Sequence, residues 1–157
     1  MSKRPKTVVM RQLDAQSIPY EVSCQDTPTR GAEGAAQQRG IPICQVVKSL
    51  LVVMPGRKYC LALVTGDRKL SLHKLGTALG QKNLQLARRD DVAAVTGYEP
   101  GAVSPLGLRR RLAIIVDQAV LRQETVSISG GRHDVGIQLH PQDLVRATEG
   151  WVADITQ

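Results

Sequence analysis

The sequence predicts a single α+β domain, and three observations carry that prediction. Short apolar runs pair into hairpin-like units and alternate with single helices, without the regular strand–helix–strand repeat of a parallel α/β fold. The length of 157 residues and the apolar content of 42% suffice for one core. No long linker, internal repeat or low-complexity segment divides the chain, so residues 1–157 read as one domain with a flexible basic tail over 1–6.

The elements follow in order. Residues from about Thr7 to Ser17 form a short opening helix, with Val9 and Leu13 one turn apart. Ile18, Tyr20 and Val22 then alternate with Pro19, Glu21 and Ser23, a period of two that predicts a strand. Thr29 is placed to cap an Ala-rich helix that stops at Gly40, with Pro42 just beyond. Val46 to Met54 is the strongest strand signal, apolar on both faces as in a central covered strand. Pro55-Gly56-Arg57-Lys58 turns the chain into a second apolar run from Tyr59 to Val64, giving a hairpin at the middle of a sheet. Ser71 caps a helix ending at Gly80, and Asp90 a helix ending at Gly97. Arg111–Val116, Thr125–Ser129 and Val135–Leu139 are three further strands, Pro141 opens a last helix, and Trp151–Ile155 closes the chain as a short strand.

Composition narrows the function classes. Aromatic residues make up 3% and Phe is absent, so the core is built from Val, Leu, Ile and Ala, and a surface of stacking platforms for single strands is disfavoured. The net charge of +7 and pI near 9.7 point to a polyanionic partner, nucleic acid first. Cys24, Cys44 and Cys60 have neither paired spacing nor a ligand-like arrangement with His73, His133 and His140, so no metal site is expected. Cys24 and Cys60 read instead as small core hydrophobes. No phosphate-binding glycine motif follows a strand, so no cofactor is expected. The absence of a membrane-length apolar run and of a secretory leader predicts a cytoplasmic protein.

Three stretches stand out chemically. Gly97 to Gly107 packs three glycines and two prolines into eleven residues, and is either a turn or a rigid loop presenting backbone N–H groups to a ligand. Lys48 lies inside an apolar strand, where an unpaired ammonium is costly. It either snorkels to water, pairs with a buried carboxylate, or lines a cavity for an anionic or carbonyl ligand. Ser129-Gly130-Gly131-Arg132 ends another strand and has the residues of a β-turn. No nucleophile–base motif is present.

Val46-Val47-Lys48-Ser49-Leu50, Thr96-Gly97-Tyr98 through Gly107, and Ile128-Ser129-Gly130-Gly131, in this order, resemble the YbaK/ProX family. These are free-standing relatives of the editing domain inserted in bacterial prolyl-tRNA synthetases. The resemblance covers about Thr7 to Ile155. It implies a curved, barrel-like mixed β-sheet flanked by helices, and hydrolysis of mischarged aminoacyl-tRNA without metal or cofactor. By the same resemblance Lys48, Gly101 and Ala102 are the catalytic candidates. Ser49, Tyr98, Val103, Ser104, Pro105, Gly107, Ser129, Gly130 and Gly131 line the substrate. Arg109, Arg110, Arg111 and Arg132 are the candidates for tRNA contact, and an aminoacyl-tRNA synthetase is a candidate partner. Family members that clear cysteine from tRNA(Pro) carry an aspartate in the strand after the Ser-Gly-Gly stretch and an aromatic at the position aligned with Gln25. This chain has Gly136, with Asp134 two positions earlier, and Gln25. Alanine, serine or threonine are therefore the alternatives to cysteine. Two other functions compete: a non-catalytic tRNA- or synthetase-binding module centred on Arg109–Arg111, and a small-molecule binder using the same cavity.

Overall fold

The computed structural model of the chain describes residues 6–25 and 31–157. The N-terminal helix α1 spans Val8–Ala15; the Thr7 hydroxyl accepts the Met10 N–H as its cap, and Val9, Met10 and Leu13 face the core. Strand β1, Glu21–Cys24, follows, then helix α2, Gly31–Arg39. The predicted cap of α2, Thr29, lies outside the described residues. After a 3₁₀ turn at Ile43–Gln45, strands β2 (Val47–Met54) and β3 (Lys58–Thr65) form the expected hairpin, antiparallel from Val47 opposite Thr65 to Met54 opposite Lys58. Helix α3 (Leu72–Leu79) is capped by the Ser71 hydroxyl and ends at Gly80. A short strand β4 (Gln85–Leu86), which has no sequence period to announce it, precedes α4, Arg89–Thr96. That helix begins one residue before the predicted cap: Arg88 holds the cap position, and Asp90 and Asp91 stand in the first turn, where acidic side chains suit the helix dipole. Strands β5 (Ala113–Asp117), β6 (Val126–Arg132) and β7 (Val135–Leu139), helix α5 (Pro141–Thr148) and strand β8 (Trp151–Ala153) complete the chain.

The strands form two sheets. One has the order β1-β7-β6 and is antiparallel; the other has the order β4-β2-β3-β5-β8, with β3/β5 and β5/β8 parallel. Among the described residues the sheets meet at a single bridge, between Val46 and Ser127. The expected barrel-like sheet is thus corrected to a two-sheet α+β domain without closure. One bridge, rather than a continuous ladder, joins the sheets, and β8 is an edge.

The larger core cluster includes Leu61 and Leu63 of β3, Ile128 and Ile137 of the small sheet, Leu13 of α1 and Leu144 of α5. The other face of β3 presents Cys60, Ala62 and Val64 to Leu75 of α3 and to Ile115 and Ile155. The strand buried on both faces is therefore β3, whereas Lys48, Ser49 and Leu50 leave β2 partly open at one end. Cys60 is fully buried as expected, and burial pushes its thiol up to about 11; Cys24 is exposed, contrary to expectation, because β1 is a sheet edge.

Candidate functional site

The opening left at the start of β2 is a cavity of about 240 Å³. Lys48 and Ser49 of β2, Gly101 and Val103 of the glycine–proline loop, and Ser129 of β6 all line it, as do Ala35 and Arg39 of α2. Residues separated by more than eighty positions in the chain converge here because β6 approaches β2 at the Val46–Ser127 bridge.

The loop is held rigidly. Tyr98 is buried; its hydroxyl donates to the Leu106 carbonyl, closing the loop across its neck, and burial pushes the phenol up to about 12. Between these ends the Ala102 N–H donates to the Glu99 carbonyl at 2.9 Å. Pro100 and Gly101 occupy the centre of that turn, and Gly101 has φ +88°, as position three of a type II turn requires. The Ser129 hydroxyl donates to the Ala102 carbonyl at 2.9 Å and accepts the Gly131 N–H at 3.1 Å. The loop and the middle of β6 are therefore joined.

This geometry corrects three expectations. The Ala102 N–H is committed to the turn, so it is not a donor facing the cavity; Gly101 and Val103 line the cavity, and their N–H groups have no acceptor among the described residues. Ser104 is fully buried and its hydroxyl accepts the Leu106 N–H at 3.4 Å, so it supports the loop from behind. The Gly130-Gly131 pair is not the turn between strands. It forms a bulge within β6, between the Ser129–Gly136 and Arg132–Val135 pairs, and the chain reverses at His133-Asp134.

The remaining predicted residues fall around this centre. Tyr98, Ala102, Gly131 and Arg132 border an adjoining cleft of about 430 Å³ with His133 and Glu99, whose side chains approach to 3.3 Å. Arg132 pairs with Asp134 at 3.1 Å. Gly130 is buried against Val135. Pro105 and Gly107 face a different cleft, of about 540 Å³, with Arg110, Arg111 and the exposed Trp151. There Arg110 lies over the Tyr59 ring at 5.6 Å and Arg111 pairs with Glu149 at 2.7 Å; Arg109 is exposed and its backbone N–H bonds the Thr96 carbonyl.

Of the three explanations for Lys48, the structure places it on the cavity wall, half-buried. Its ammonium donates to the Arg68 carbonyl at 2.8 Å, and no carboxylate among the described residues bonds it. Burial lowers its pKa, with the Asp67 charge opposing. The Ser49 hydroxyl oxygen is buried without a partner among the described residues. Two residues escaped the sequence reading. His133 stands where a Cβ on Gly101 would meet its ring at 3.2 Å. Arg39 lines the cavity, donates from Nη1 to the Ser127 hydroxyl at 2.8 Å, and has its pKa lowered by burial. The signal for Arg39 was its spacing: it lies three and four residues beyond the buried Ala36 and Ala35, on the inward face of α2.

Among the described residues no cluster of three or more His, Cys, Asp or Glu side chains is placed to hold a metal ion, and no helix is long and apolar enough to cross a membrane. Among the described residues the cavity offers Lys48 and Arg39 as cations, the unpaired N–H groups of Gly101 and Val103, and the hydroxyls of Ser49 and Ser129 around a small, partly open space. Groups of this kind donate hydrogen bonds and complement oxygen acceptors. Residues 26–147 match the family described as the aminoacyl-tRNA editing domain, and the chain belongs to that family. It is 28% identical over 153 residues to the Enterococcus faecalis protein named "Putative Cys-tRNA(Pro)/Cys-tRNA(Cys) deacylase EbsC", covering 96% of this chain and 93% of that protein. It is 32% identical over 124 residues to a proline–tRNA ligase of Acidithiobacillus ferrooxidans, covering 78% of this chain and 22% of the ligase. Among solved structures, one titled "Crystal structure of a putative trans-editing enzyme for prolyl tRNA synthetase" superposes with a TM-score of 0.86 at 29% identity, over 99% of both chains.

Proposed function

We propose that the chain is a trans-editing deacylase that hydrolyses the ester of a mischarged aminoacyl-tRNA, tRNA(Pro) or another tRNA carrying a small amino acid, in the cytoplasm. The observation that carries this reading is the convergence of Lys48, Ser49, Gly101, Val103 and Ser129 on one cavity. Lys48 holds the aminoacyl-adenosine end. The amino acid lies toward Ser49 and Ser129, and the N–H groups of Gly101 and Val103 face the ester carbonyl.

No protein nucleophile is required. Water attacks the ester carbonyl carbon, the oxygen of the tetrahedral intermediate draws on the loop donors, and the carbon–oxygen bond to the ribose breaks. One proton of the water goes to the ribose oxygen, the other passes to solvent, and the amino acid leaves as its carboxylate. A donor fixed before the reaction begins is worth about 10²–10³ in rate, and positioning the water adds to it. Arg109, Arg110, Arg111 and Arg132 supply phosphate contacts for the tRNA, and a synthetase is the natural source of the mischarged substrate.

Incubation with a panel of mischarged tRNAs tests the reading. Loss of the amino acid faster than in buffer, abolished by Lys48→Ala, is expected. If tRNA binds and no member of the panel is hydrolysed, the chain is a binding module instead. The Arg110–Arg111 cleft, separate from the small cavity, is the observation that favours that second reading.

A further inference from the structure

Arg39 lines the cavity, and the position of its guanidinium depends on Gly136. Gly136 of β7 is paired directly with Ser129, and a Cβ at Gly136 would stand 2.5 Å from Arg39 Nε and 2.7 Å from Cζ. The missing side chain of Gly136 is therefore the space the guanidinium occupies, beside the strand that anchors the loop. A guanidinium carries five N–H donors, and here Nη1 reaches Ser127 while the buried Nε has no partner among the described residues. No carboxylate among the described residues bonds Arg39, and the described lining of the cavity contains Lys48 as a second cation and no acidic side chain. The Ser49 hydroxyl oxygen, in the same lining, is likewise buried and has no partner among the described residues.

Resting on the deacylase reading, we propose that Arg39 reads an oxygen acceptor on the side chain of the bound aminoacyl group. A hydroxyl or carboxylate would accept from the guanidinium; a methyl would leave these groups unpaired, and a thiol is a weak acceptor. A site whose polar groups need a partner discriminates steeply against the analogue that lacks one, whereas an apolar pocket separates such small side chains poorly. The cavity thus selects serine, threonine or an acidic residue over alanine and cysteine, and Arg39 is the residue that sets the choice.

One tRNA carrying in turn Ser, Thr, Asp, Ala or Cys, deacylated under single-turnover conditions, decides this. The oxygen-bearing substrates are expected to react faster than Ala and Cys by about tenfold or more. Faster Ser and Thr would assign a hydroxyl, faster Asp a carboxylate. In Arg39→Met the ratio of oxygen-bearing to Ala substrate is expected to fall toward one. Gly136→Ala, which displaces the guanidinium without removing it, should lower the ratio as well, and it serves if Arg39→Met does not fold. Ala or Cys reacting as fast as Ser, Thr and Asp would overturn the inference while leaving the deacylase reading intact. So would Arg39→Met slowing all five substrates by one common factor. Hydrolysis of none would overturn both.

Discussion

The Ser129 hydroxyl donates to the Ala102 carbonyl at 2.9 Å, and through this bond strand β6 holds a loop twenty-seven residues away in sequence. The same oxygen accepts the Gly131 N–H, so it fixes the bulge of β6 and the cavity face of the loop together. Ser129→Ala removes both bonds. We expect a stability loss of about 1–2 kcal/mol in denaturant unfolding. We expect a larger effect on deacylation, a kcat about ten- to a hundredfold lower, because the loop donors lose their fixed position. A rate within twofold of wild type would show that the loop holds its shape without Ser129.

Gly101 has φ +88°, and an added Cβ would meet the His133 ring at 3.2 Å. Gly101→Ala therefore combines backbone strain with a contact on a ring that itself approaches Glu99 at 3.3 Å. The strain costs about 1–3 kcal/mol, readable as a lower melting temperature. Deacylation is expected to fall further than the stability loss accounts for, measured at a temperature where the variant is fully folded.

Lys48 gives a pH signature. Burial holds its folded pKa below the ordinary 10.5, so between the folded value and 10.5 the unfolded chain binds more protons than the native one. Stability from this group accordingly rises with pH across that window, as the penalty for burying the charge disappears. Lys48→Met lacks the penalty at every pH. The variant's melting temperature, relative to wild type, should drift downward as the pH is raised from 8 toward 10.5; a constant difference would contradict the assignment.

Cys24 is exposed and Cys60 is fully buried with its thiol raised to about 11. Because the thiolate is the reactive form, iodoacetamide at neutral pH should modify Cys24 and leave Cys60 intact until the protein is denatured. Peptide mass analysis of the alkylated protein separates the two, and early labelling of Cys60 would place β3 outside the core.

The arginines beyond the loop predict a salt effect. Replacing Arg109, Arg110 and Arg111 by Ala should weaken tRNA binding and flatten its dependence on salt, by about 0.7–0.9 in the logarithmic slope for each phosphate no longer neutralised. An unchanged slope would move the tRNA footprint to another face. Arg110 and Arg111 already have partners, Tyr59 and Glu149, so the expected loss is smaller than for three unengaged cations.

The elements and most of their ends are legible in the sequence, because period, capping residues and turn residues act locally. The β2–β3 hairpin, the Ser71 cap, the helix end at Gly97 and Pro141 at the start of α5 all follow from neighbours in the chain. Lys48, the glycine–proline loop and Ser129 stand out there too, as unusual for their surroundings. What those residues face is a matter of packing between distant segments. The docking of the two sheets at Val46 and Ser127 brings Lys48, Gly101 and Ser129 to one cavity and leaves the sheets unclosed. The folded loop turns the Ala102 N–H inward to Glu99, while the N–H groups of Gly101 and Val103 have no acceptor among the described residues. Arg39 was the least legible, since its partners Ser127 and Gly136 lie about ninety residues away, and no local period encodes a space left by the absence of a side chain.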